Sequence, residues 1–194
     1  SEQTLYAHWN VNQYTITFNV NNAEYGSITG QTSITADYGS TISVASNVIT
    51  IAGKQATATP KTNTAQYIYA FANWSGVTAT VLGDTTITAN FTRTYEQYTV
   101  TFVSNNTNYG RVSVVSFKAD YGSTIYVEDS IITIGANYSL AIPTEDTAQY
   151  DYAFSSWSNA SGTITANRTI TANFTQSVKQ YTVKFESNNS SYGT

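Results

Sequence analysis

The chain has 194 residues, of which only 10% are charged, a formal net charge of −4, and neither cysteine nor methionine. Absent cysteine excludes disulfides and thiolate metal sites, and eight scattered Lys and Arg residues do not form the clustered cations a nucleic-acid surface needs. No apolar run approaches the roughly 20 residues of a spanning helix, so insertion into a membrane is not expected.

In chain order, the first feature is Thr4-Leu-Tyr-Ala-His-Trp9, which has the pattern of a closing strand. Tyr14, Ile16, Phe18 and Val20 then alternate with Thr15, Thr17 and Asn19, the period-2 pattern of a half-buried strand. Asn21-Asn22, Tyr25-Gly26, Tyr38-Gly39 and Ser75-Gly76 read as turns between such runs. Thr41–Val44 and Val48–Ile51 read as short strands. Pro60 should end a strand or lie on an edge, and Lys61–Gln66 is the best candidate for a helical turn. Tyr67, Tyr69 and Phe71 alternate, and the phase then slips by one before Trp74, which predicts a bulge or a strand end. Thr86–Thr92 alternates again, with Ile87, Ala89 and Phe91 inward.

The whole series then repeats with a period of 83 to 84 residues. Gln13–Phe18 returns as Gln97–Phe102 and as Gln180–Phe185, Ala36–Ile42 as Ala119–Ile125, Trp74 as Trp157, and Thr86–Thr92 as Thr169–Thr175. Self-similarity at a fixed period divides a chain into modules. The expected organisation is the tail of a preceding module over 1–12, complete modules over 13–96 and 97–179, and the start of a further module over 180–194. The period changes from 84 to 83 within Ser27–Thr35. A strand interior tolerates a one-residue change poorly, so a hairpin turn is predicted there. Five to seven short strands per module are expected, with little or no helix. The expected structural core is Tyr14, Phe18, Phe71, Trp74 and Phe91, with Tyr98, Phe102, Phe154, Trp157 and Phe174 in the second module. The connectors from Phe91 to Tyr98 and from Phe174 to Tyr181 each span seven positions and contain no Gly or Pro, which favours a defined junction over a flexible one.

The opening Tyr-Thr-Val-Thr-Phe, the Tyr-Gly, the Tyr-Gly-Ser-Thr-Ile and the closing Ile-Thr-Ala-Asn-Phe resemble the internalin-type B-repeat, or Listeria–Bacteroides repeat, in its divergent branch. The resemblance implies tandem β-grasp-like modules, all-β or strand-dominated α+β, arranged end to end. It also implies an extracellular, cell-surface adhesin-like protein of bacteria or archaea, anchored through regions outside this chain. In that family the modules serve adhesion or spacing and bring no catalytic residues. The extra segment Ala45–Thr59, with its copy Glu128–Ile142, departs from the main family.

The residues agree with a non-enzymatic reading. An enzyme needs convergent acid, base or nucleophile groups, but His8 is the only histidine and Asn90 and Asn173 hold its place. Asp37 and Asp120 are the only carboxylates in register, and one per module builds no multi-carboxylate calcium site. No catalytic, cofactor-binding or metal residues are expected, and no cofactor. No lysine recurs between modules, which disfavours a shared isopeptide bond, whereas Thr64 and Gln66 recur as Thr147 and Gln149 and leave an ester crosslink open. Nine Asn-x-Ser/Thr sequons, Asn73, Asn90 and Asn173 among them, suit this Asn- and Thr-rich composition. Tyr95, Tyr126 and Tyr138 do not recur; they are the candidate ligand-binding residues, since exposed aromatics stack on sugars or anchor protein contacts. The leading expectation is a monomeric stalk or spacer whose partners are its neighbouring modules. The alternative is that the modules themselves bind a host protein or glycan.

Overall fold

The computed structural model describes residues 3–188 and Ser191. Residues 189, 190 and 192–194 of the further module start expected over 180–194 lie outside them. The chain forms two compact units, Ser1–Glu96 and Gln97–Thr194, and is all-β: no helix occurs among the described residues.

In the first unit the strands are β1 (Gln13–Val20), β2 (Gly26–Gly30), β3 (Ser33–Asp37), β4 (Ile42–Ala45), β5 (Val48–Ile51), β6 (Lys54–Pro60), β7 (Tyr67–Ser75) and β8 (Thr85–Tyr95). They build two sheets, ordered β3-β1-β8-β7 and β2-β6-β5-β4. The first sheet is mixed: β1 pairs antiparallel with β3 and parallel with β8, and β8 pairs antiparallel with β7. The second is antiparallel throughout. The second unit repeats this as β9 (Gln97–Ser104), β10 (Gly110–Val112), β11 (Ser116–Asp120), β12 (Ile125–Glu128), β13 (Ile131–Ile134), β14 (Asn137–Pro143), β15 (Tyr150–Ser158) and β16 (Arg168–Val178). Its sheets are β11-β9-β16-β15 and β10-β14-β13-β12.

Eight strands per unit among the described residues exceed the five to seven expected, because the segment after β1 splits between sheets. The turn expected within Ser27–Thr35 is not a hairpin. β2 pairs with β6 and β3 pairs with β1, so Gln31-Thr32 is a corner where the chain changes sheets. Its backbone is held from both sides, Gln31 N–H donating to Gln55 O and Phe18 N–H to Thr32 O. Lys61–Gln66 makes no helical turn. Asn63 Oδ1 accepts from Tyr69 N–H, and Thr64 Oγ1 accepts from Tyr67 N–H, the local side-chain bonding that competes with helix. Pro60 is the last residue of β6, where no following ladder bond is needed.

The core lies between the two sheets. Ile16, Ile34 and Ile87 face Ile49 and Ile51, and Val81 from the β7–β8 loop closes the gap. Of the expected core residues, Phe18 and Phe91 are buried, while Tyr14, Phe71 and Trp74 are half-buried and pack against the clusters. In the second unit Phe102 and Phe174 are buried, and Tyr98, Phe154 and Trp157 are half-buried. The centre is therefore aliphatic and the aromatics flank it. The phase slip before Trp74 is a β-bulge between Phe71 and Asn73, which returns Trp74 to the face opposite Ala89. There its ring meets Phe18 at 6.1 Å and Phe71 at 5.6 Å.

Tyr25-Gly26 is not needed as a positive-φ turn. Gly26 opens β2 beneath the Phe91 ring, and a Cβ there would stand 2.6 Å from Phe91 Cε1. Gly110 lies in the same way under Phe174. By contrast Gly39 and Gly122, after the recurring Asp-Tyr, have φ of 82° and 84°, as the turn reading requires.

The segments at either end carry strand-like patterns but form no strand. Leu5, Tyr6 and Trp9 are exposed, as are Tyr181, Val183 and Phe185.

Overpacking a close backbone approach costs about 1–3 kcal/mol. Gly26→Ala is expected to lower the stability of the first unit by that amount and to leave the second unchanged, as read by chemical denaturation. Trp74→Ala, at the lower end for a large aromatic, is expected to cost about 3 kcal/mol.

Candidate functional site: a tyrosine-lined cleft and an outer sheet face

The recurring polar residues serve the frame. Asp37 Oδ1 accepts from Gln13 Nε2, and Asp120 Oδ1 from Gln97 Nε2. Ser40 N–H closes the turn onto Asp37 O, and Ser123 N–H onto Asp120 O. His8 is exposed in the N-terminal segment. Among the described residues no three His, Cys, Asp or Glu side chains gather as metal ligands do. Thr64 Oγ1 is occupied by the N–H groups of Gln66 and Tyr67, and Thr147 Oγ1 by those of Gln149 and Tyr150. Asn90 Nδ2 donates to Asn73 Oδ1 and Ser75 Oγ across β7 and β8.

Two further pairs of residues do more than the sequence reading assigned them. Asn21 was read as a turn residue. Its Nδ2 donates to Phe91 O, its Oδ1 accepts from Phe91 N–H, and its own N–H donates to Ala89 O. Asn105 does the same with Phe174 and Ala172. At the other end, Asp84 Oδ1 accepts from Thr15 N–H and Asn167 Oδ1 from Thr99 N–H. These side chains extend the parallel β1–β8 and β9–β16 ladders at both ends. The signal was present: Asn21 recurs as Asn105, and the Asp84-to-Asn167 exchange preserves the accepting oxygen.

The three candidate tyrosines fall in two places. Tyr95 closes β8 of the first unit, 48% exposed, with its ring 5.2 Å from Tyr67. It joins a cluster in which Tyr67 and Tyr25 each lie about 6 Å from Tyr69. Arg93 lies over this cluster, its guanidinium carbon 4.2 Å from the Tyr67 ring centre and 4.9 Å from that of Tyr25. Lys61 Nζ stands 5.4 Å over Tyr69. Beside them opens a cleft of about 520 Å³ lined by Glu24, Gly26, Ser27, Thr59, Lys61, Tyr69 and Arg93. Cation–π contacts at exposed sites contribute about 0.5–1 kcal/mol each.

Tyr126 and Tyr138 belong to the second unit, 65% and 57% exposed. Tyr126 on β12 pairs with Thr133 on β13, which pairs with Tyr138 on β14. The two side chains therefore share the outer face of one sheet, on strands about 9–10 Å apart. Ile131 and Leu140 are neighbours on the same face. The equivalent face of the first unit carries Ser43, Thr50 and Gln55, with Val48 and Thr57 beside them.

Lys179, after β16, bridges Asp151 at 3.2 Å and Asp146 at 4.0 Å. The hydrogen bond to Asp151 is the main cause that holds its ammonium above the ordinary lysine pKa. The charges of Asp151, Asp146 and Tyr181 act in the same direction, and desolvation opposes them. A lysine with a raised folded pKa adds stability below its ordinary pKa and loses it as pH rises through the raised one.

No family model, no curated protein and no solved structure matches the chain.

Ser43 and Gln55 fill the places of Tyr126 and Tyr138 in a unit of the same topology, so the frame does not depend on the two rings. Tyr126→Ser with Tyr138→Gln is expected to shift stability by no more than about 0.5 kcal/mol, the range of ordinary surface substitutions. Chemical denaturation of the intact chain checks this; a larger loss would make the rings structural.

Proposed function

We propose that the two units are spacer modules of a stalk in a large extracellular, cell-surface adhesin-like protein, similar to B-repeats, and that they transmit tension. The observation that carries this reading is the parallel pairing of first and last strands: Ile16–Val20 lies against Thr85–Ala89 in one unit, and Val100–Ser104 against Arg168–Ala172 in the other. Because the strands run the same way, the chain enters a unit at one end and leaves at the other. Gln13 lies three residues before Ile16, and Tyr95 ten residues beyond its partner Thr85. At about 3.3 Å per residue the two points are about 40 Å apart along the strands.

Tension on the two ends pulls β1 and β8 past each other. The ladder bonds lie across the pull and must yield together rather than one at a time. Asn21 and Asp84 lengthen that ladder at its two ends. Only Glu96 separates β8 from β9, and a short connector without glycine passes on tension with little slack. The composition suits a surface protein: few charges, no cysteine, and Thr-rich outer strand faces.

Single-molecule pulling tests the reading. Drawn through its two ends, each unit is expected to unfold in one step, releasing about 260 Å of chain at up to ~3.6 Å per residue. The same unit held at Tyr67 and Tyr95, which are paired neighbours, is loaded so that β7 unzips from β8, and should yield at a several-fold lower force. Equal forces in the two geometries would sink the proposal. Asn21→Ala should lower the end-to-end force, since it leaves two part-buried backbone groups of Phe91 without that partner.

A further inference from the structure

We infer that the cleft of the first unit is a binding site for an acidic saccharide, one whose sugar ring carries a carboxylate. The inference rests on the cleft and is independent of the spacer reading.

The cations come first. Arg93 and Lys61 line the cleft, and both are exposed. Among the described residues neither side chain makes a hydrogen bond to an acceptor and neither is ion-paired. Arg168 of the second unit, by contrast, spends a guanidinium N–H on Ser161 O. The guanidinium carbon of Arg93 instead lies 4.2 Å from the Tyr67 ring centre and 4.9 Å from that of Tyr25. A guanidinium placed against rings rather than against an acceptor keeps its N–H donors for a ligand, and a carboxylate is the group that takes them through two parallel bonds. Lys61, over Tyr69, adds three donors as a point charge. The ring beneath Lys61 is in place before any ligand arrives, because Tyr69 is only 9% exposed and its backbone N–H is tied to Asn63.

The other walls select the class of anion. Ser27 and Thr59 present hydroxyls, Tyr69 presents a ring, and Glu24 contributes a carboxylate. Two cations against one carboxylate leave a single positive charge in the cleft. That balance suits a ring with one acidic group better than a polyphosphate or nucleic-acid strand, which would place successive negative charges beside Glu24. Glu24 can accept from sugar hydroxyls.

The second unit shows that the frame does not require the cations. Thr144 stands for Lys61 and hydrogen-bonds Asn108 O; Gln176 stands for Arg93 and hydrogen-bonds the Tyr152 hydroxyl. The tyrosines beneath are kept as Tyr109, Tyr150 and Tyr152. The same cradle therefore exists twice, and carries its charge once.

That duplication supplies the test. The intact chain is titrated by calorimetry with galacturonate and with sialyllactose, against galactose and lactose as neutral counterparts and sodium acetate as the bare anion. Binding of at least one acidic sugar is expected, at one site per chain, with neutral sugars and acetate at least tenfold weaker. Lys61→Thr with Arg93→Gln should weaken it at least tenfold while the unit stays folded at the titration temperature, as read by circular dichroism. Arg93→Lys, which keeps the charge and loses the fork, should weaken it less than the double variant. Thr144→Lys with Gln176→Arg should raise the stoichiometry to two. The inference is overturned if neither acidic sugar binds, if the double variant binds as the parent does, or if acetate or the neutral sugars bind equally well.

Discussion

The parallel pairing of β1 with β8 is the contact on which everything else in the unit depends. It joins residues 69 positions apart, as between Thr15 and Asp84, so a long stretch of chain must close before the pair can form. Closing such a loop costs entropy that only the later contacts offset. Once formed, the pair fixes the middle of a sheet, and β3 and β7 add to its two sides. The stretch between must then fold back over one face, which it does as the second sheet. The ends of the ladder receive side chains where backbone runs out, Asp84 and Asn167 before it, Asn21 and Asn105 after it. A parallel pair has no tight turn to fix its register, so these four residues do what a turn does in a hairpin.

The two sheets are held apart by different materials at different places. Isoleucines fill the centre, where β5 meets β1 and β8. Toward the Tyr95 end of β8 the filling changes to Phe71, Trp74 and Phe91 around Ala58 and Ala89. Gly26 belongs to this region: β2 comes so close to the Phe91 ring that a Cβ would collide with it. The bulge in β7 is needed for the same reason. Without it Trp74 would face solvent, and with it Trp74 reaches Phe18 and Phe71.

How much of this was legible follows from how local each signal is. Alternation in Tyr14–Val20 and Thr86–Thr92, the slip before Trp74, and Pro60 at a strand end are patterns within a few residues, and the structure contains all of them. The corner at Gln31-Thr32 was misread as a hairpin because two adjacent strands normally pair, and nothing in Ser27–Thr35 says that their partners are β6 and β1. Asn21 does stand at the turn where it was read, but its ladder role was not legible for a similar reason: its partner, Phe91, is 70 positions away. The cleft was legible only through Tyr95. Tyr25, Tyr67 and Tyr69 recur and so looked purely structural, while the lysines were weighed only for a crosslink and Arg93 gave no signal of its own. Repetition identifies what the frame requires, and a residue that departs from it is where a single unit can acquire a property of its own.

The cleft and the ladder meet on the same strand. Arg93 lies on β8 beyond its pairing with β1, and Lys61 follows directly on β6 of the other sheet. A ligand held by both residues spans the two sheets at the end of the unit where β8 runs beyond β1. The pair of cations exists only while β6 and β8 are in place, so such a ligand binds the folded unit and not the unfolded chain. Mass action then makes occupancy a contribution to stability, growing by RT for each e-fold of ligand above its Kd. On this view the first unit is the one whose resistance to unfolding depends on its surroundings. The second, with Gln176 and Thr144 bonded internally, has a resistance set by its own residues alone.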